Sequence, residues 1–208
     1  MRKHYDIMVD LESLSLRPSC AILQIGAVVF DPYGRGIIGK PFLVSVKQYS
    51  YLDDKYNKFH IDPETVDWWT TQSEAANASL ELRLVDNLEE ALEKFFFWIT
   101  KTPFHRKNAT DSCIWAQGSQ FDIAALNLAS AELGVTPPWQ FYQERCCRTV
   151  IEDTYRELLP YEVVQYPDDL TAHRADHDAI RQVYNLQLAL RAKNENNEYA
   201  PFSEEPQS

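Results

Sequence analysis

Near the start of the chain the apolar residues come in short, dense, β-branched runs; later they recur every three or four positions. The two spacings predict strands first and helices afterwards. Residues 5–10 read as a short strand, residues 21–30 (Ala-Ile-Leu-Gln-Ile-Gly-Ala-Val-Val-Phe) as a buried one, and residues 37–46 as a third. Asp31-Pro32-Tyr33-Gly34 separates the last two, with proline where a type I or II turn takes it. The opening is thus an antiparallel meander. Asp62-Pro63-Glu64 reads as the cap and first turn of a short helix that carries Trp68 and Trp69. Residues 86–100 form a longer amphipathic helix, with Leu88, Leu92, Phe95, Phe96 and Ile99 at helical spacing. A polar loop over 102–111, a strand over 112–116 and a helix over 122–133 follow, and Pro137-Pro138 then breaks the chain. An extended piece over 141–145 leads to a short helix over 150–158. A last helix spans 176–192, with Ala179, Val183, Leu186 and Leu190 on one face. Three leading antiparallel strands followed by alternating helices and strands predict an α/β fold: a mixed central sheet flanked by helices.

Composition narrows the picture. At 208 residues with 45% hydrophobic content the chain is long enough for one domain with a substantial core, assigned to 1–193. The polar stretch 194–208, which includes Asn194-Glu195-Asn196-Asn197, is expected to be a disordered tail. No apolar run approaches the ~18 residues of a membrane span, and the first residues lack the apolar core and cleavage site of a secretory signal. A cytoplasmic protein with no membrane partner is expected. Cys20, Cys113, Cys146 and Cys147 form no C-x-x-C pair and no zinc spacing, so reduced thiols are expected. The net charge of −11 argues against a protein that coats nucleic acid, whose affinity comes largely from phosphate contacts. The objection is weaker for a metal-dependent enzyme, because bound cations can invert the local potential of a site.

The candidate chemistry lies in three acidic segments. Asp10 and Glu12 are two apart at the end of an apolar strand, so both side chains leave the same face of the sheet. Two ionised carboxylates that close repel each other, and a divalent cation relieves the conflict; two acids at a solvated strand end would look the same. Asp122 follows Gly118-Ser119-Gln120-Phe121 at a strand-to-helix break, where an N-cap with Phe121 as its apolar staple is the plainer reading. His173 and Asp178 are five apart, which on a regular helix turns them about 140° from each other. They can share a site only if His173 lies in the loop ahead of the helix and Asp178 in its first turn, with Asp176 as the cap. His177 reads as part of a charged, solvated helix start.

D-x-E at Asp10 and Glu12, F-D at Phe121 and Asp122, and H-x-A-x-x-D from His173 to Asp178 stand in the order found in the DnaQ-like exonucleases. The chain resembles that superfamily, in its histidine (DEDDh) subclass, across most of residues 5–190. The likeness is nearest to 3′–5′ exonucleases of tailed phages of the DexA type, through Asp10-Leu11-Glu12-Ser13-Leu14, the segment 66–73 and Gly118-Ser119-Gln120-Phe121-Asp122. A related branch, the RNase AS type, acts on RNA. The resemblance implies a ribonuclease H-like fold and a two-metal 3′–5′ exonuclease that releases nucleoside 5′-monophosphates from single-stranded DNA or RNA 3′ ends, DNA favoured. In a phage protein the compartment would be the host cytoplasm. It implies two Mg²⁺ or Mn²⁺ ions per site, about 3.5–4 Å apart. Asp10, Glu12 and Asp178 would hold one ion; Asp10 and Asp122 would hold the other, Asp122 directly or through water. It assigns His173 as general base and Leu11 and Leu14 as contacts of the terminal base or sugar. Gln120 and Phe121, beside the site, are candidate substrate contacts. Trp68 and Trp69 are candidate stacking platforms, although neighbours on a helix point about 100° apart, so one of them is expected to pack. Arg148, Arg174 and Arg181 are candidate phosphate contacts. A homodimer fits the resemblance, though no apolar stripe marks an interface. A non-catalytic binding module on the same fold would be expected to lack one of the five site residues, and all five are present.

Overall fold

In the computed structural model, which describes residues 5–105, 112–157 and 167–199, the opening strands are buried on both faces. The strands are β1 (Asp6–Ser13), β2 (Ile22–Phe30), β3 (Ile37–Val46), β4 (Leu84–Val85), β5 (Ile114–Ala116) and β6 (Glu144–Cys146). The helices are α1 (Pro63–Thr70), α2 (Glu74–Ser79), α3 (Leu88–Lys101), α4 (Asp122–Leu133), α5 (Cys147–Glu157) and α6 (Ala175–Tyr199). One mixed sheet runs β4-β3-β2-β1-β5-β6. β1, β2 and β3 pair antiparallel, while β5 joins β1, β6 joins β5 and β4 joins β3 in parallel.

Alternation along β1 divides the core. Ile7, Val9 and Leu11 pack with Leu88, Leu92, Phe95, Phe96 and Ile99 of α3 and with Ile123 and Leu126 of α4. Met8 belongs to the other face, with Val28, Phe30 and the Ala179, Ile180, Val183 and Leu186 row of α6. A strand covered on both faces loses the polar–apolar alternation and reads as a continuous apolar run, which is what β2 shows. Asp6 is buried at the start of β1 and locks it to β5, accepting hydrogen bonds from the Cys113 N–H (3.0 Å) and the Trp115 indole N–H (2.7 Å).

Several boundaries differ from the sequence reading. β1 continues past residue 10 through Ser13, because Leu11 and Glu12 still pair with Ile25 and Gln24 of β2. α3 begins at Leu88 because the Asn87 side chain caps it, accepting the Glu90 N–H at 3.0 Å. Residues 141–145 divide into a single 3₁₀ turn, Phe141–Gln143, and the short β6. α2 and β4 have no counterpart in the apolar pattern; a six-residue helix and a two-residue strand are too short to show periodicity. Within 102–111, a 3₁₀ turn covers Pro103–His105, and 106–111 lie outside the described residues. α6 extends past residue 192 to Tyr199, so the start of the expected tail is helical, and 200–208 lie outside the described residues. Among the described residues no helix is long and apolar enough to cross a membrane. All four cysteines are free thiols.

Gly26 sets how closely α6 approaches the sheet. A Cβ built there would lie 2.0 Å from the Ala175 carbonyl carbon and the Asp176 nitrogen, both backbone atoms that cannot swing aside. Gln24 secures the same approach, its Oε1 accepting the Ala175 N–H at 2.9 Å. Gly26→Ala is therefore expected to destabilise the protein by about 3 kcal/mol or more, the upper range for overpacking. Denaturant unfolding of the variant would measure it.

Candidate active site

The C-terminal half of β1, the N-terminus of α4 and the start of α6 meet at one end of the sheet and enclose a cleft of about 610 Å³. Asp10, Glu12, Asp122, His173 and Asp178 all line it. Asp10 and Glu12 project to the α6 face, two residues apart on a paired strand. Asp122 arrives from the other side. The chain leaves β5, turns at Gly118 (φ +132°), where a side chain would be strained, and starts α4. Asp122 is the first helical residue rather than the N-cap, and its carboxylate accepts the Leu11 N–H of β1 at 3.2 Å. The helix start is thereby tied to the strand that carries the other two acids.

The histidine motif is resolved by one unusual backbone angle. His173 adopts φ +58°, a left-handed conformation rare outside glycine, just before α6 begins. Its N–H donates to the Asp178 carboxylate at 2.7 Å, so the two residues cap the helix across the turn. Ligating atoms of Glu12, His173 and Asp178 all fall within 4.8 Å of one another. The Trp68 and Trp69 rings stand edge-on to the His173 imidazole, with centroids at 4.9 and 6.5 Å. Asp176 does not cap: it is buried and takes a two-point contact from Arg174, at 2.8 and 3.0 Å. His177 is structural, its Nδ1 accepting the Thr171 N–H at 2.8 Å, and burial lowers its pKa.

The electrostatics of the cleft are unfavourable as they stand. Burial raises the Glu12 carboxyl to about 8, helped by Asp178 and Asp122, and the Asp122 carboxyl to about 7. Burial and then the charges of Asp122, Glu12 and Asp178 push Asp10 well above the usual range. Asp178 is also raised by burial, against the pull of the His173 N–H and Arg181. Each acid thus holds its proton more tightly in the folded protein than in the unfolded chain, where carboxyls titrate near pH 4. The folded state binds more protons between about pH 4 and 8, so metal-free stability should fall as pH rises through that window. Thermal melts in EDTA would show the fall, and millimolar Mg²⁺ should reverse most of it at pH 8 and little of it at pH 5. A melting temperature flat with pH in EDTA would contradict this.

Other expected contacts divide. Leu11 and Phe121 line the acidic cleft and also a second cleft of about 370 Å³, which Trp68 and Trp69 wall on the far side. Trp69 is buried and donates its indole N–H to the Ser13 carbonyl at 3.0 Å, whereas Trp68 is exposed, so one tryptophan packs and the other faces the opening. Arg148 and Arg181 line the acidic cleft. Three expected residues lie elsewhere. Leu14 is buried in the core, Gln120 points to solvent, and Arg174 is held by Asp176. For Leu14 and Gln120, nearness in sequence to a motif does not imply the same direction in space.

Gln182 was not among the residues expected from the sequence. One and two turns along α6, Gln182 and Asn185 line the cleft, and the Gln182 amide donates to Asp10 at 2.6 Å. Leu16, highly exposed, rims both clefts. A signal for Gln182 existed in its four-residue spacing from Asp178, which puts both on one side of a helix.

The model of the Rv2179c-like 3′–5′ exoribonuclease domain matches residues 5–190, nearly the whole described chain. The chain belongs to this family. The exonuclease is also similar to the exodeoxyribonuclease of Enterobacteria phage T4, 25% identical over 209 residues, covering 90% of this chain and 89% of the phage protein. Its fold is shared with E. coli exonuclease I in complex with a dA16 oligonucleotide (TM-score 0.59, 15% identity, 95% of this chain). The exonuclease spans 43% of that longer chain. It is shared too with the nuclease domain of 3′hExo, a DEDDh family member bound to rAMP (TM-score 0.52, 13% identity, 93% of each chain). The ribonuclease H-like fold and membership of a 3′–5′ exonuclease family therefore stand, and the family implies divalent metal ions.

Proposed function

We propose that this 3′–5′ exonuclease hydrolyses single-stranded nucleic acid from its 3′ end by two-metal catalysis, with DNA preferred. The convergence of Asp10, Glu12, Asp122, Asp178 and His173 on one cleft carries the reading. The donor set fits the group: four carboxylates offer only oxygen, which suits Mg²⁺ or Mn²⁺ over zinc. Their raised pKa values mark a site that lacks positive charge. Asp10, Glu12 and Asp178 would hold one cation, and Asp10 with Asp122 the other. Divalent cations bound there supply Lewis-acid stabilisation of the attacking and leaving oxygens in an in-line displacement.

The chain's own groups do the rest. His173 accepts the proton of the attacking water at its imidazole, held beside Glu12 and Asp178 by the left-handed turn. The water oxygen bonds to phosphorus, the bond to the 3′ oxygen of the penultimate nucleotide breaks, and that oxygen takes up a proton. The products are a nucleoside 5′-monophosphate and a strand one residue shorter. Leu11, Phe121 and Trp68 offer apolar surface to the terminal base in the second cleft. Arg148 and Arg181, which line the acidic cleft, would contact phosphate.

DNA preference draws support from the phage exodeoxyribonuclease, which aligns over most of both chains. The RNA reading has support of its own. The family description names an exoribonuclease, and Asp62, Glu64 and Thr65 bring hydrogen-bonding groups to the second cleft, as recognition of a 2′-hydroxyl requires. Digestion of 5′-labelled DNA and RNA of one sequence, with Mg²⁺, with Mn²⁺ and with EDTA, tests both. A metal-dependent ladder shortening from the 3′ end supports the reaction, and the faster sugar chooses between substrates. Cleavage in EDTA, or from the 5′ end, would overturn it.

A further inference from the structure

A second groove, of about 430 Å³, lies away from the acidic cleft, between β3, β4 and the outer side of α3. In a chain of net charge −11, it gathers Arg83, Lys94 and Lys101 around Phe42, Phe97 and Trp98. Glu90, Lys94, Phe97 and Lys101 follow one another along a single stripe of α3, at spacings of four, three and four. The Phe97 ring is 63% exposed, an unusual state for phenylalanine on an amphipathic helix whose other face is fully buried. Lys101 sits over that ring, 4.6 Å from its centroid. Lys94 pairs with Glu90 at 3.0 Å in an exposed contact of little strength. Arg83 is exposed at the groove rim and adopts φ +53°, a backbone state that non-glycine residues seldom take without a local reason. Aromatic faces interleaved with cations are the surface that single strands use, bases stacking on the rings and phosphates meeting the cations.

The groove lies near the catalytic centre along the sheet but on its other side: α3 covers the face of Ile7, Val9 and Leu11, whereas Asp10 and Glu12 project to the α6 face. Glu12 pairs with Gln24, Gln24 with Ser45 and Ser45 with Leu84, one row of register partners across the sheet. Leu84 is a wall of the groove, so three inter-strand spacings, about 14 Å, separate the row's two ends. A strand joining the two sites passes round the sheet on a path longer than that row, and the roughly 4–16 nucleotides of a compact single-strand site leave room for it.

We propose that this groove is an accessory site for single-stranded nucleic acid, holding the part of the substrate upstream of the 3′ end while the acidic cleft holds the terminal nucleotide. The proposal rests on the single-strand exonuclease reading, extending it from the cleaved end to the body of the strand. It gives an acidic enzyme a place to grip a polyanion beyond Arg148 and Arg181, which line the metal site.

Phe97→Ala with Lys101→Ala tests it, since both side chains are at the surface. Binding of a fluorescent 20-nucleotide strand is followed by anisotropy in EDTA, beside that of a trinucleotide. Hydrolysis of both is followed in Mg²⁺. The double variant should bind the 20-mer about tenfold more weakly, with a steeper loss in salt-free than in salted buffer, and leave the trinucleotide unchanged. Unchanged 20-mer binding by a folded variant overturns the proposal. So does an equal loss for both lengths, or sedimentation showing that the wild type pairs through this face and the variant does not. Lack of hydrolysis by the wild type, with the length-dependent binding loss intact, would sink the nuclease reading and leave the groove standing.

Discussion

Asp10→Asn and Asp178→Ala are expected to lower hydrolysis by about 10³-fold or more while the protein stays folded. Several kcal/mol of transition-state charge stabilisation depend on the cations these groups would hold, and each 1.36 kcal/mol is tenfold in rate. At Asp10 the fold should not suffer, whereas Asp178→Ala gives up the His173 cap and the Arg181 pair and should melt lower, by about the 0.5–2 kcal/mol of a lost cap, while remaining folded. Asp10 is buried beside Asp122, Glu12 and Asp178, which push its pKa up, so its charge opposes folding. Asparagine removes that charge and keeps an oxygen for the Gln182 amide, now 2.6 Å from Asp10. In EDTA at pH 8 the Asp10→Asn protein should therefore melt at or above the wild-type temperature, and added Mg²⁺ should stabilise it less than it stabilises the wild type. Residual activity within tenfold of wild type would remove Asp10 from the proposed metal site. A collapse in melting temperature would show that the cluster serves the fold instead.

His173→Ala should slow the chemical step by about 10²–10⁴-fold, the range for loss of a general base. His177→Ala should cost stability rather than chemistry. His177 accepts the Thr171 N–H, burial lowers its pKa, and Thr171 lies in the segment leading to His173. Its loss leaves that amide without its partner, worth about 1–3 kcal/mol if the amide stays buried. Single-turnover kinetics with saturating Mg²⁺ separates the two: the first variant loses rate at an unchanged melting temperature, the second the reverse. If His177→Ala proved the slower catalyst, the base would have been misassigned. A third outcome is informative as well. His173 lies within 4.8 Å of ligating atoms on Glu12 and Asp178. A raised Mg²⁺ requirement for His173→Ala, with full rate at high metal, would make it a ligand and not a base.

The left-handed turn at His173 joins these expectations. Residues five apart cannot share one helix face, yet the Asp178 carboxylate and the His173 amide meet at 2.7 Å because φ +58° folds the chain back before α6. Gly26 and Gln24 hold the Ala175 end of that turn against β2. The histidine's position is thus set by contacts with a strand about 150 residues earlier.

Local chemistry was enough for much of this. Apolar, β-branched runs marked β1, β2 and β3; β2, buried along its whole length, is interrupted only by Gln24. Asp62 and Pro63 marked the start of α1, and the 3.6-residue stripe marked α3. The order and spacing of the three acidic motifs named the superfamily. Only the tertiary structure could decide the direction of side chains whose neighbours are distant in sequence. Asp122 reads locally as a cap, but its carboxylate meets the backbone of β1, 111 residues away. Arg174 reads as a phosphate ligand, but a buried Asp176 claims it. Gln182 carries no motif at all, and its role exists only because α6 lies against β1. The basic aromatic groove likewise joins β3, the Arg83 bend and α3, segments that share no local pattern. Periodicity and capping are local energies, written in adjacent residues; convergence at a site comes from packing between elements, to which adjacent residues carry no guide.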